Sequence, residues 1–152
     1  QGFGLYLKAV GQMPLDPAYL EKDNLKLLKL RCGRHVEYSV FGSMKANAKV
    51  HVICPGSGGT AHLPQKLMHQ NYEKMNVKGI SVSYPGYGQS DMTCKAQLPI
   101  DWVKDLEEIL AGEVVGEFSV EGASLGSVYA AAVAYHFKER CVGLGLQVPN
   151  MD

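Results

Sequence analysis

Four short β-prone runs, Val50–Cys54, Val77–Tyr84, Glu117–Val120 and Cys141–Val148, are separated by stretches of helical character. Such runs suit strands buried on both faces of a sheet. Strands that alternate with helices are joined by crossover connections, which set them parallel and place the helices over the sheet. The expected fold class is therefore α/β, a mostly parallel sheet with helices on both faces. The first helical stretch, about 63–75, sets Leu63, Leu67, Met68, Tyr72 and Met75 near helical spacing. The second starts at Pro99, which a first helical turn tolerates, and Gly112 is its natural stop. Between them Trp102, Val103, Leu106, Ile109 and Leu110 form one apolar stripe, opposite Asp101, Lys104, Glu107 and Glu108. Upstream, residues 25–31 and 35–41 are joined at Cys32-Gly33-Arg34. Val36, Tyr38 and Val40 alternate with Glu37 and Ser39, which predicts an N-terminal antiparallel hairpin, partly exposed. Residues 1–24 hold Gly2, Gly4, Gly11, Pro14 and Pro17 and read as an irregular arm with a short helical turn near Tyr19. Residues 25–152 then read as one partial domain, without internal repeats or an interior linker.

Within that alternation one turn carries chemistry. Gly122-Ala123-Ser124-Leu125-Gly126 is a G-x-S-x-G pattern. It follows the β-prone Glu117–Val120 and precedes the Ala-rich, helix-prone Val128–Tyr135. Strand, sharp turn and helix is the setting of a nucleophile elbow, in which a strained serine projects its hydroxyl off the sheet. The turn is tight, so Gly122 and Gly126 must lack side chains. Ser124 also stands at a helix start, where free N–H groups favour developing negative charge. The alternative is a plain strand-to-helix turn with Ser124 as its N-cap.

Composition excludes several partners. Fifteen basic and fifteen acidic side chains give a formal net charge of zero, so no nucleic acid or anionic surface is expected. No apolar run approaches the roughly 20 residues of a membrane span. Cys32, Cys54, Cys94 and Cys141 are scattered, with no paired metal spacing, so no metal is expected. Reduced thiols of this kind suit a cytoplasmic setting. The chain starts at Gln1 rather than Met, and reads as a piece of a longer reading frame in which any targeting segment lies upstream.

A serine needs a base to take its proton and donors to hold the oxyanion. Pro55-Gly56-Ser57-Gly58-Gly59 follows the first apolar run, where a backbone N–H can be aimed at a substrate oxygen. The second donor would be the N–H of Leu125. The same loop also matches a rival pattern, since Gly56-Ser57-Gly58-Gly59-Thr60-Ala61 reads G-x-G-x-x-A, the dinucleotide fingerprint. That fingerprint wants an acid at the end of the next strand to bind ribose. Here that strand ends Ser81-Val82-Ser83-Tyr84, without one.

The hairpin, the Gly-rich loop at 55–59, Pro85-Gly86-Tyr87-Gly88-Gln89-Ser90 after the next strand, and the elbow after the one that follows resemble, in this order, the first half of an α/β-hydrolase domain. The resemblance covers about residues 25–148. It implies a serine hydrolase acting on an ester, thioester or amide of a small acyl substrate through an acyl-enzyme, with no cofactor. Ser124 would be the nucleophile, Ser57 and Leu125 the oxyanion donors, and Gly86 and Gly88 a structural turn at the edge of the site. The chain departs from the family at Pro55-Gly56, where members often have His-Gly, and at Ser127, where a second small residue, often Gly, follows the elbow. The family orders its triad Ser, acid, His. Only His136 follows Ser124, about three turns along the helix, and Asp152 is the one candidate acid. The acid and His are therefore expected beyond these residues, and the piece alone is expected to be inactive. A non-catalytic α/β-hydrolase-like module that binds a partner or ligand stands as the alternative.

Overall fold

The computed structural model describes residues 16–93 and 97–148. Asp152, Cys94 and most of the expected arm lie outside these. The elements are α1 (Pro17–Lys22), β1 (Leu25–Lys29), β2 (His35–Gly42), β3 (Lys49–Cys54), α2 (His62–Lys74), β4 (Val77–Val82), α3 (Pro99–Gly112), β5 (Phe118–Ala123), α4 (Leu125–His136) and β6 (Cys141–Gln147). The six strands form one sheet in the order β1-β2-β4-β3-β5-β6. β2 pairs antiparallel with β1 and β4, while β3–β4, β3–β5 and β5–β6 are parallel. Alternation of apolar runs and helices thus produces the mostly parallel sheet with an N-terminal antiparallel hairpin that the sequence implies.

α1 is the turn expected near Tyr19. Asp16 caps it by accepting from the N–H groups of Ala18 and Tyr19, and Pro17 sits in its first turn, where no N–H is needed. α3 starts at Pro99, and the Asp101 carboxylate accepts from the Leu98 N–H at its entry. Its stripe of Trp102, Val103, Leu106, Ile109 and Leu110 is fully buried against the sheet, each large side chain contributing about 1.5–3 kcal/mol. Val52, Ile80, Val82, Phe118 and Val120 meet it from the strands.

Two strands differ from expectation. β2 was expected to keep a polar, partly exposed face, yet Glu37 and Ser39 are as buried as Val36 and Val40. The reason is topological: β2 is an interior strand between β1 and β4, and α2 packs across it. Its polar side chains are satisfied by hydrogen bonds instead of water. β6 reads as a buried strand, but it pairs only with β5 among the described residues, and Val142 is 67% and Leu144 47% exposed.

Candidate active site

The parallel register pairs Cys54 with Gly122, so β3 and β5 end side by side and release their loops at one level of the sheet. Both Gly-rich turns therefore meet. A side chain on Gly126 would run into the carbonyl oxygens of Cys54 and Pro55, and one on Gly122 into the backbone of Gly126. A β-carbon on Gly56 would lie 3.2 Å from the Ala123 carbonyl oxygen and 3.7 Å from the Ser124 β-carbon. The glycines at 56, 122 and 126 are thus explained by close approach of the loop and the elbow.

Ser124 joins β5 to α4 with φ 52° and ψ −124°. These are the angles of the first central residue of a type II′ turn, a position glycine ordinarily holds. A non-glycine residue there carries strain of order 1–3 kcal/mol. The backbone around it is fixed: the Ser124 N–H donates to the Gln147 carbonyl at 3.0 Å, and its carbonyl accepts from the Ser127 N–H at 2.9 Å. The Ser127 hydroxyl donates to the Gly122 carbonyl at 3.1 Å, closing the turn, which accounts for a hydroxyl where a second glycine is common. The Ser124 hydroxyl makes no capping bond, so it is not an N-cap in the ordinary sense, and its residue is exposed. Leu125 opens α4, whose first-turn N–H groups have no partner within the helix.

The loop at 55–59 passes from buried Pro55 to exposed Ser57 and Gly58, with Gly58 at φ +76°. Beneath Gly56–Gly59 lies a mostly apolar cavity of about 230 Å³, walled by Ile53, Leu63, Leu67, Met68, Ala123 and Gln147 among others. Cys54, at the same strand end, is not a competing nucleophile. Burial, with Glu121 nearby, pushes its thiol far above the ordinary range.

All five histidines are described, and none forms a hydrogen bond with Ser124. His35 bonds Asp91, His51 bonds Ser119 at 2.6 Å, His69 accepts from the Gly42 N–H, and His62 faces Asp23. His136 ends α4, about 18 Å along the helix from Ser124 at 1.5 Å per residue.

The sheet order and the elbow between β5 and α4 point to one family of solved structures. The chain has the α/β-hydrolase fold. Its similarity to a hydrolase from Pseudomonas aeruginosa has a TM-score of 0.71 at 21% identity over 81% of this chain and 45% of that one. A predicted CIB-like hydrolase from Thermoplasma acidophilum gives 0.70 at 18% identity, over 82% and 62%, and an enol-lactonase from Burkholderia xenovorans gives 0.69 at 15%, over 78% and 45%. The chain thus spans about half the length of these hydrolases. No family model and no curated protein matches it. Among the described residues, no helix is long and apolar enough to cross a membrane.

Around this α/β-hydrolase core the sequence reading overlooked a buried polar cluster. Glu37, read as a surface position, turns its carboxylate under the 83–91 loop, accepting from Ser83 Oγ at 2.5 Å and from the Gln89 N–H at 2.8 Å. Ser90 Oγ accepts from the Glu37 N–H and donates to the Ser83 carbonyl. A side chain on Gly88 would strike this carboxylate, which explains that glycine. The one available signal was a lone acid in an otherwise apolar and hydroxylic strand.

Proposed function

We propose that this chain supplies the nucleophile and oxyanion donors of a serine hydrolase that transfers an acyl group from an ester, thioester or amide to water. The observation that supports this most is the Ser124 backbone, held at φ 52° in an exposed residue whose hydroxyl makes no capping bond, next to the Gly56 loop. In this reading Ser124 Oγ attacks the substrate carbonyl carbon while its proton passes to a base. The N–H groups of Ser57 and Leu125 take up the charge forming on the carbonyl oxygen. The bond to the leaving group breaks, the leaving group is protonated, and water then releases the acid and restores Ser124. Solved proteins of this fold include an enol-lactonase and an N-acyl homoserine lactone degrading enzyme, which accords with an acyl substrate. Among the described residues no histidine is placed as the base, since each is engaged elsewhere or remote. That observation favours a second reading, a non-catalytic binding module on the same fold.

A fluorophosphonate probe separates the two. On the full-length polypeptide, Ser124 Oγ forms a bond to phosphorus, fluoride leaves, and the serine proton goes to the base. Labelling that disappears in Ser124→Ala supports the hydrolase. Absence of labelling, or labelling at another serine, favours the binding module. Ser57→Ala keeps the backbone donor and should hold activity within a small factor. Ser57→Pro removes the donor and should cost about 10²–10³ in turnover.

A further inference from the structure

The glycine-rich loop has little of its own to hold it in place. Ser57 and Gly58 are exposed, and Gly58 is left-handed. An oxyanion donor must nevertheless sit within a fraction of an ångström of its working position. The loop is fixed from outside, at both ends, by two consecutive residues that leave β4. The Tyr84 hydroxyl donates to the Pro55 carbonyl at 2.8 Å, and Ser83 Oγ accepts from the Ala61 N–H at 2.7 Å. The Ala61 carbonyl in turn accepts from Ser39 Oγ at 2.9 Å.

Tyr84 also reaches the other half of the site. Its ring stacks on Tyr129 of α4 with centroids 4.2 Å apart, and Trp102 of α3 packs edge-on against both rings. Tyr129 lies five positions after Ser124 on the helix that carries Leu125. Gly126 also lies close to the same Pro55 carbonyl oxygen, which a β-carbon there would strike. One side chain therefore ties the loop bearing Ser57 to the helix bearing Leu125. Tyr84 is buried, at 3% exposure. Burial keeps it protonated far above the ordinary phenol range, so it remains a donor at any working pH.

We infer that Tyr84, seconded by Ser83, is the positioning residue of this site, setting the Ser57 N–H against the Leu125 N–H through the Pro55 carbonyl and the Tyr129 ring. The inference rests on the acyl-transfer reading of Ser124. Displacing one donor by up to about 1 Å costs up to a hundredfold in rate when ground-state binding is untouched.

The test is fluorophosphonate kinetics on the full-length polypeptide. It reads the labelling rate constant at saturation separately from the probe concentration at half-saturation. Tyr84→Phe should lower the rate constant about ten- to a hundredfold and leave half-saturation within about threefold. Ser83→Ala acts at the other end of the loop and should give the same signature, which keeps the inference testable if the first variant does not fold. Val103→Ala, a destabilising core change in α3, controls for lost stability and should leave the rate constant unchanged once folded. Rate constants for Tyr84→Phe and Ser83→Ala equal to wild type would overturn the positioning role and leave Ser124 standing. A loss matched by Val103→Ala would overturn it too, as mere instability. No labelling of wild type removes the nucleophile reading and this inference together.

Discussion

The strain at Ser124 can be measured without any substrate. Its φ of 52° and ψ of −124° cost a residue with a β-carbon about 1–3 kcal/mol. Ser124→Gly relieves that strain but adds freedom to the unfolded chain, a loss of about 0.5–1 kcal/mol. The net expectation is a gain of about 1 kcal/mol, or roughly 2–4 °C in Tm for a chain of this size. Ser124→Ala keeps the β-carbon and removes only an exposed hydroxyl that caps nothing, so it should stay within about 0.5 kcal/mol of wild type. The difference between the two variants isolates the backbone term, because both lack the hydroxyl. Trp102, the single tryptophan, is 1% exposed in the α3 stripe, so its fluorescence reports loss of the core in urea. The midpoints should rank Ser124→Gly above Ser124→Ala and wild type, with equal slopes. A Ser124→Gly midpoint at or below that of Ser124→Ala would show that the elbow is relaxed, and would remove the observation on which the nucleophile reading leans most.

Gly126→Ala forces a β-carbon into the carbonyls of Cys54 and Pro55, backbone atoms that cannot step aside, and should cost about 1–3 kcal/mol by urea denaturation, against near-neutral Gly112→Ala, whose added carbon meets nothing. Burial works to raise the Glu113 carboxyl, but hydrogen bonds from Lys26, Tyr38 and Lys78 outweigh it and hold the group below its ordinary value. A depressed carboxylate contributes stability that is present above the unfolded value and lost as pH falls through the folded one, so Glu113→Gln should flatten the loss of stability as pH falls below the ordinary glutamate range. The 152 residues made alone should self-associate through β6, and Val142→Lys with Leu144→Lys should shift light scattering toward monomer; a monodisperse wild-type monomer would refute this.

Much of the fold was legible because it rests on period and punctuation. α3 is bounded by Pro99 and Gly112 as its stripe and breakers require, and β3, β5 and the elbow lie where the apolar runs and glycines set them. Contacts between distant segments were not legible. Alternation along β2 looks the same whether its polar side meets water or a buried serine, and only the sheet order, with β2 inside β1 and β4, decides that Glu37 is buried. Tyr84 likewise read as the apolar end of a strand, because nothing local marks a hydroxyl that reaches a carbonyl 29 positions away. Motifs announce the atoms of a site, whereas the bonds that hold those atoms in register are long-range and cross the sheet.

Glu37 also bears on the dinucleotide reading of the 56–61 glycines. That reading lacked an acid at the end of β4, and the folded chain brings one to that point from the neighbouring strand. An acid that binds ribose must offer free carboxylate lone pairs to the ligand in an open crevice. Glu37 is 0% exposed, and its oxygens accept from Ser83 Oγ and the Gln89 N–H. The Ser83 oxygen holds the Ala61 N–H in the same chain of bonds, so the carboxylate is committed to the loop ends rather than to a ligand. Removing it would strand the Ser83 hydroxyl and the Gln89 N–H, at about 1–3 kcal/mol for each one left unpaired. The acid is present in space but is committed to fixing the backbone of the loop rather than to holding a ligand.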